Sequence, residues 1–145
     1  MSVNKVLRVA IPRNPPEAFD DCLRFPIFQQ SIHCPYPGWC LEVLYMLTQY
    51  LNVTIKPVIP NYPVGAVDWG NLNGSTWSGV LGLIQNDTVD TACLMYQKTL
   101  TREEYFDFAT SVVSVSEDFD SAFLSVWCSQ FFIYSSLQKE TAVGV

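Results

Sequence analysis

The 145-residue chain has few basic residues and a single histidine. Eight Lys and Arg stand against fourteen Asp and Glu, for a net charge of −6. The cations are scattered, with no more than two in any five-residue window. Binding a phosphate backbone needs clustered Lys and Arg, so nucleic acid is excluded as a main partner. Five cysteines (Cys22, Cys34, Cys40, Cys93 and Cys128) include no CxxC pair. With one histidine they offer no zinc-ligand spacing, and neither a metal nor a cofactor is expected. No G-x-S-x-G occurs, which removes the strained nucleophile turn of serine hydrolases. A Gly-rich phosphate loop is missing too: Gly79 and Gly82 lie inside a helical pattern without the strand and turn such a loop needs. Charged residues amount to only 15% against 49% apolar, the opposite of a disordered or solvating tail. The length fits one domain and allows a real core.

What is present alternates. Residues 7–11 read as a buried strand stopped by Pro12. Residues 13–17 are extended loop, because each of Pro15 and Pro16 pushes its predecessor out of the helical region. Between 19 and 37 no period holds, and Pro26, Pro35 and Pro37 recur, so an irregular loop is expected, with Cys22 and Cys34 available to tie it down. Residues 39–51 carry apolar side chains at 40, 41, 43, 44, 47, 50 and 51, the stripe of an amphipathic helix. A β-rich run follows at 53–59, then a loop at 61–75 rich in Gly, Pro and Asn. Trp77, Val80, Leu81, Ile84 and Gln85 give a second helical stripe, with Ser75 or Thr76 as its cap. Residues 90–94 read as another short buried strand. Thr101-Arg-Glu-Glu104 has the form of a capping box opening a short helix that ends near Phe106.

Strand, helix, strand, helix, strand and short helix imply crossover connections and an α/β fold with a mainly parallel sheet flanked by helices. In such sheets ligands sit beyond the carboxyl ends of the strands. The loops to inspect are therefore 12–37 and 95–101. Residues 121–138 differ: no charge in 18 residues, 11 of them apolar or aromatic. That is long enough for a membrane span, but six Ser and Gln between 121 and 136 dilute it, and a buried or poorly ordered tail is the expectation. Asn52-Val-Thr, Asn73-Gly-Ser and Asn86-Asp-Thr are glycosylation sequons, which lean towards an exported protein. The start of the chain is too short and too interrupted for a signal peptide, and reads as either cytosolic or cut from something longer.

Few residues invite chemistry. His33 beside Cys34 is a thiolate–imidazole candidate, but sequence neighbours rarely face each other and nothing orients the ring; a plain loop histidine is expected. Asp90 and Asp107 are a candidate carboxylate pair, yet turn or cap roles suffice for both, and no catalytic role is expected. Arg102 stands out. At the start of a helix, a guanidinium joins unpaired backbone N–H groups to make a receptor for a small carboxylate. The competing reading pairs it with Glu103, Glu104 or Asp107 at the surface. Tyr36 offers a flat face that could cover a ligand or simply pack.

Taken together, Leu7-Arg-Val-Ala-Ile-Pro12, Tyr36-Pro-Gly-Trp-Cys40-Leu-Glu-Val-Leu44, Trp77-Ser-Gly-Val-Leu-Gly-Leu-Ile84, Asp90-Thr-Ala-Cys93 and Thr99-Leu-Thr-Arg102-Glu-Glu-Tyr-Phe-Asp107-Phe108 follow one another at a family's spacing. The chain resembles the first lobe of an ionotropic glutamate receptor ligand-binding domain, which is related to family 3 periplasmic solute-binding proteins. The resemblance covers residues 5–113 and implies a periplasmic-binding-protein-like lobe. It implies that Arg102 holds a ligand α-carboxylate and that Tyr36 covers the ligand. The family's amino-group contacts, a proline carbonyl and a threonine hydroxyl, fall here on Met95 and Gln97, so the ligand is expected to be an amino-acid-like carboxylate rather than necessarily glutamate.

Residues 114–145 have no such match beyond a faint likeness to the approach to a membrane helix, and the second lobe and channel helices of the family are missing. The implied protein is a membrane receptor of the ligand-gated channel type, with this lobe on the extracellular face and oligomeric only at full length. A solute-binding protein serving a transporter is the alternative. An enzyme is not expected, since no acid–base pair is evident.

Overall fold

The computed structural model describes residues 5–109, 113–118, 125–131 and 133–135. The chain divides into two compact units, Met1–Leu94 and Met95–Val145.

In the first unit, β1 (Lys5–Ala10) leads through a long loop to α1 (Trp39–Leu51), which returns the chain to β2 (Val53–Val58). β1 and β2 pair in parallel over their full lengths, Lys5 opposite Val53 and Ala10 opposite Val58. Pro57 is tolerated in β2 because this strand lies at the sheet edge, where a missing N–H costs no ladder bond. A small hairpin follows, β3 (Leu72–Asn73) against β4 (Thr76–Trp77), and then α2 (Gly79–Gln85) and β5 (Thr91–Ala92). β5 pairs in parallel with the other edge of β1, Val9 opposite Thr91. The strand–helix–strand alternation of the sequence thus becomes a parallel β2–β1–β5 sheet with β1 in the middle.

The core of this unit is the meeting of the sheet with its two helices. Val9, Ala10, Ile11, Cys40, Leu41, Val80, Leu81, Ile84, Ala92, Cys93 and Leu94 have no exposed surface. Only the first half of the α1 stripe is buried: Cys40, Leu41 and Leu44 go in, whereas Tyr50 and Leu51 are exposed. α1 ends on Asn52 in the left-handed conformation (φ 52°), which asparagine tolerates better than most residues.

Two local expectations are corrected here. The 61–75 segment is not loop throughout, because Leu72–Asn73 and Thr76–Trp77 pair across a two-residue turn with Gly74 at φ 66°. Gly-Ser between β-prone residues is a hairpin signal, and positive φ at the first turn position is what glycine supplies. That pairing removes Ser75 and Thr76 from the helix start. The cap residue is Ser78, whose side chain makes no capping bond; its Oγ accepts from Asn71 N–H at 3.0 Å instead. Gln85 then ties helix to hairpin, accepting from Trp77 N–H at 2.8 Å and donating to the Ser75 carbonyl at 2.9 Å.

The second unit contains β6 (Tyr96–Gln97), α3 (Leu100–Glu103), β7 (Phe106–Phe108), β8 (Val113–Asp118), β9 (Ser125–Phe131) and β10 (Ile133–Ser135). Its pairings are antiparallel: β6 with β9, β8 with β9, and β7 with β10. The parallel pairings expected of the fold are thus those of the first unit, and the described pairings of the second unit are antiparallel. α3 is a single turn, starting one residue before the expected cap Thr101 and ending before Phe106. Thr99 is the actual cap, its Oγ1 accepting from Arg102 N–H at 3.2 Å. Phe106, read as the end of that helix, instead begins β7, which pairs with Ile133–Ser135. The described part of the uncharged stretch, 125–131 and 133–135, forms strands, as its Val, Trp, Phe and Ile content favours. The rest of that stretch lies outside the described residues. No described helix is long and apolar enough to cross a membrane.

Candidate functional site

In the first unit the loop between β1 and α1 is fastened at several points. Cys22 and Cys34 form a disulfide. Arg13 Nε donates to Asp20 Oδ1 at 2.8 Å, and its guanidinium lies 4.8 Å from the Phe25 ring centroid. Phe19 N–H donates to the Pro37 carbonyl at 3.0 Å. At Gly38, φ is 126° and a Cβ would meet the Glu17 carbonyl and Ala18 Cα, so the chain there can approach only as glycine. Because Cys34 is bonded to Cys22, no thiolate is available to the exposed His33, and the thiolate–imidazole candidate falls. Tyr36 follows this disulfide and is 73% exposed.

Inside the unit, Glu17 is buried and accepts from Asn14 Nδ2 at 2.9 Å. Burial raises its carboxyl above the usual range, with its own backbone and Asn14 pulling the other way. Burial likewise pushes the Cys40 thiol well up, reinforced by a hydrogen bond with Cys93 and by the charge of Glu17. Raised thiols with no exposed surface are poor nucleophiles.

Asp90 is held by Arg8. The guanidinium reaches Asp90 Oδ1 at 2.7 Å and Oδ2 at 3.3 Å, and Arg8 N–H donates to Oδ2 at 2.7 Å. The same side chain donates to the carbonyl and carboxylate of Asp87, at 2.7 and 2.9 Å. Asp90 thereby clasps β1 to the turn before β5, a structural role that accounts for both oxygens. Asp107 is half-buried in β7 of the second unit.

The second unit carries Met95, Gln97 and Arg102. Met95 is buried, Gln97 exposed and Arg102 half-buried. Gln97 and Arg102 are brought together through the backbone: Arg102 Nη1 donates to the Gln97 carbonyl at 2.9 Å. The guanidinium carbon also lies 5.3 Å from the Tyr96 ring centroid, within cation–π range. Arg102 is the third residue of its helix, not the first, and one turn has little macrodipole to offer an anion. Its qualification is different. Glu103, a presumed competitor, is paired with Lys98 at 2.8 Å, and among the described residues no carboxylate pairs with Arg102.

Tyr96 and the Lys98–Glu103 pair escaped the sequence reading. An aromatic next to a candidate anion binder, one strand position before Gln97, was the available signal. Among the described residues, no three His, Cys, Asp or Glu side chains are grouped to hold a metal.

No family model matches the sequence, and no curated protein does. The fold does have relatives among solved structures. It is similar to the glycine complex of the iGluR3 ligand-binding domain from Pleurobrachia bachei, with a TM-score of 0.58 and 21% identity over 77% of this chain. The chain spans 41% of the length of that domain. At this identity the likeness establishes the fold: an α/β lobe of the kind found in ionotropic glutamate receptor ligand-binding domains.

Proposed function

We propose that this chain is the ligand-binding lobe of a receptor of the ligand-gated channel type, and that Arg102 recognises the carboxylate of a small amino-acid-like ligand, glycine being the first to test. One observation carries the reading: a half-buried guanidinium anchored by the Gln97 carbonyl with no carboxylate partner among the described residues. Nη1 is committed, so Nε and Nη2 remain as the parallel donors that match a carboxylate. The shared fold with a glycine-bound domain supports the ligand class.

In this reading residues 5–113 are the first lobe. Gln97 faces the ligand as the resemblance implies, and Met95 contributes its carbonyl. A two-lobed receptor would close over the ligand and shift its channel towards opening. The lobe would sit on the extracellular side of a membrane. One lobe gives the cleft one wall, so weak binding is expected of this chain.

The test is ligand-observed NMR on the full chain with glycine. Wild type gives a saturation-transfer signal that Arg102→Ala abolishes. An undiminished signal in Arg102→Ala sinks the carboxylate role.

A further inference from the structure

We propose that Tyr96 is the positioning residue for Arg102: its ring face and the Gln97 carbonyl together hold the guanidinium with its Nε–Nη2 edge presented to the ligand. This inference rests on Arg102 being the carboxylate receptor. It adds a residue and a device that the motif around Arg102 does not contain.

The geometry begins in β6. Tyr96 and Gln97 pair with Phe131 and Gln130 of β9, which fixes the two backbone positions. Strand alternation sends their side chains to opposite faces. Tyr96 goes in, with 1% of its surface exposed, while Gln97 stays out in solvent. A ring packed that tightly has no rotamer freedom to follow a moving guanidinium. The chain then turns through Thr99, whose hydroxyl accepts Arg102 N–H and sets where the Arg102 side chain starts.

From there two contacts determine where the guanidinium ends. The Gln97 carbonyl takes Nη1 in the plane of the group, at 2.9 Å. The Tyr96 ring lies 5.3 Å from Cζ and attracts the cation through its negative face. A hydrogen bond alone leaves the group free to swing about the bonded nitrogen. The ring contact restrains that swing, so fewer arginine rotamers have to be lost when a ligand binds.

The surroundings favour an anion from outside. Lys98 occupies Glu103 at 2.8 Å, so the closest acidic side chain in sequence is drawn away from Arg102. A leucine or methionine at 96 would fill similar space but carry no quadrupole. An aliphatic residue there is thus predicted to keep the fold and loosen the arginine.

The experiment uses the full chain with isotope-labelled arginine, the Arg102 resonance being assigned by its disappearance in Arg102→Lys. In wild type the Arg102 guanidinium signals should show a ring-current displacement and slowed rotation. Tyr96→Phe should preserve both. Tyr96→Leu and Tyr96→Met should lose both, leaving the other three arginines unchanged. Glycine titrations of the same samples should give an affinity about two- to fivefold weaker for the aliphatic variants and unchanged for Tyr96→Phe.

A wild-type Arg102 signal without ring-current displacement overturns the proposal, even if the aliphatic variants fail to fold. So does an aliphatic variant with wild-type affinity. If Arg102→Ala leaves glycine binding intact, the receptor reading fails. The resonance measurements then still report whether Tyr96 orders the arginine.

Discussion

Glu17 shows how a single residue can make stability depend on pH. It belongs to the β1–α1 loop, is buried, and accepts a side-chain hydrogen bond from Asn14. Its folded pKa is raised above the ordinary value of 4.5 because burial disfavours the charged form. Between 4.5 and the raised value the folded chain binds more protons than the unfolded one. The stability that Glu17 contributes is therefore fully present below 4.5 and is lost as pH rises through that window. Glu17→Gln removes this slope. Melting curves from pH 4 to 7 should show the variant gaining on wild type as pH rises, and parallel curves would refute the assignment. Asp90 is a nearly buried carboxylate whose two oxygens both engage Arg8. Asp90→Asn leaves the Arg8 cation short of its main partner and should cost about 2–3 kcal/mol in urea unfolding. A loss below ~0.5 kcal/mol would show that Asp87 suffices to hold Arg8.

At the scale of elements, the long loop between β1 and α1 depends on cross-links because it has no ladder of its own. The Cys22–Cys34 bridge spans 12 positions of chain. Chain-entropy arguments give such a loop about 3 kcal/mol. The double variant Cys22→Ser, Cys34→Ser should lower unfolding free energy by about 2–4 kcal/mol. The perturbation should be greatest at Phe19 and Gly38, where the loop is sewn to the start of α1. Amide exchange would locate it, and protection lost evenly over the whole unit would argue against a local role. The elements also show what was readable beforehand. The stripes of α1 and α2 and the runs of β1, β2 and β5 are visible because burial on one face imposes a period. The Thr101 cap failed for a physical reason. Thr99 and Thr101 are both competent caps, and the chain that follows the helix is claimed by Phe106–Phe108 pairing with Ile133–Ser135, 25 to 29 residues downstream by register. Local spacing carries no information about such a partner.

For the whole molecule, the acidic balance and the three sequons describe its surroundings. Asn52, Asn73 and Asn86 are all exposed. They follow α1, occupy the β3–β4 hairpin and follow α2, so none lies within the described core. Asn52 and Asn86 fall where helices return to the amino ends of parallel strands, the end opposite the expected ligand side. Passage through a secretory pathway should therefore add up to three glycans without affecting carboxylate binding. Each Asn→Gln change should remove one step of gel mobility, measured before and after enzymatic deglycosylation. A single unshifted band in wild type would remove the support that the sequons lend to an extracellular location.

By itself the sequence determined the composition of the core, the alternation of strand and helix in the first unit, and Arg102 as the residue to watch. The first two follow from periodicity and the third from the motif around Arg102, both properties of the chain read in order. The tertiary structure alone decided that Glu103 turns to Lys98 and that Asp90 belongs to Arg8. It also decided that Arg102 is left to the Gln97 carbonyl and the Tyr96 ring. Charge pairing is a competition settled by position within a few ångströms: strand pairing brings Arg8 to Asp90 across 82 positions of chain, and the turn between β6 and α3 decides which neighbours Glu103 and Arg102 meet.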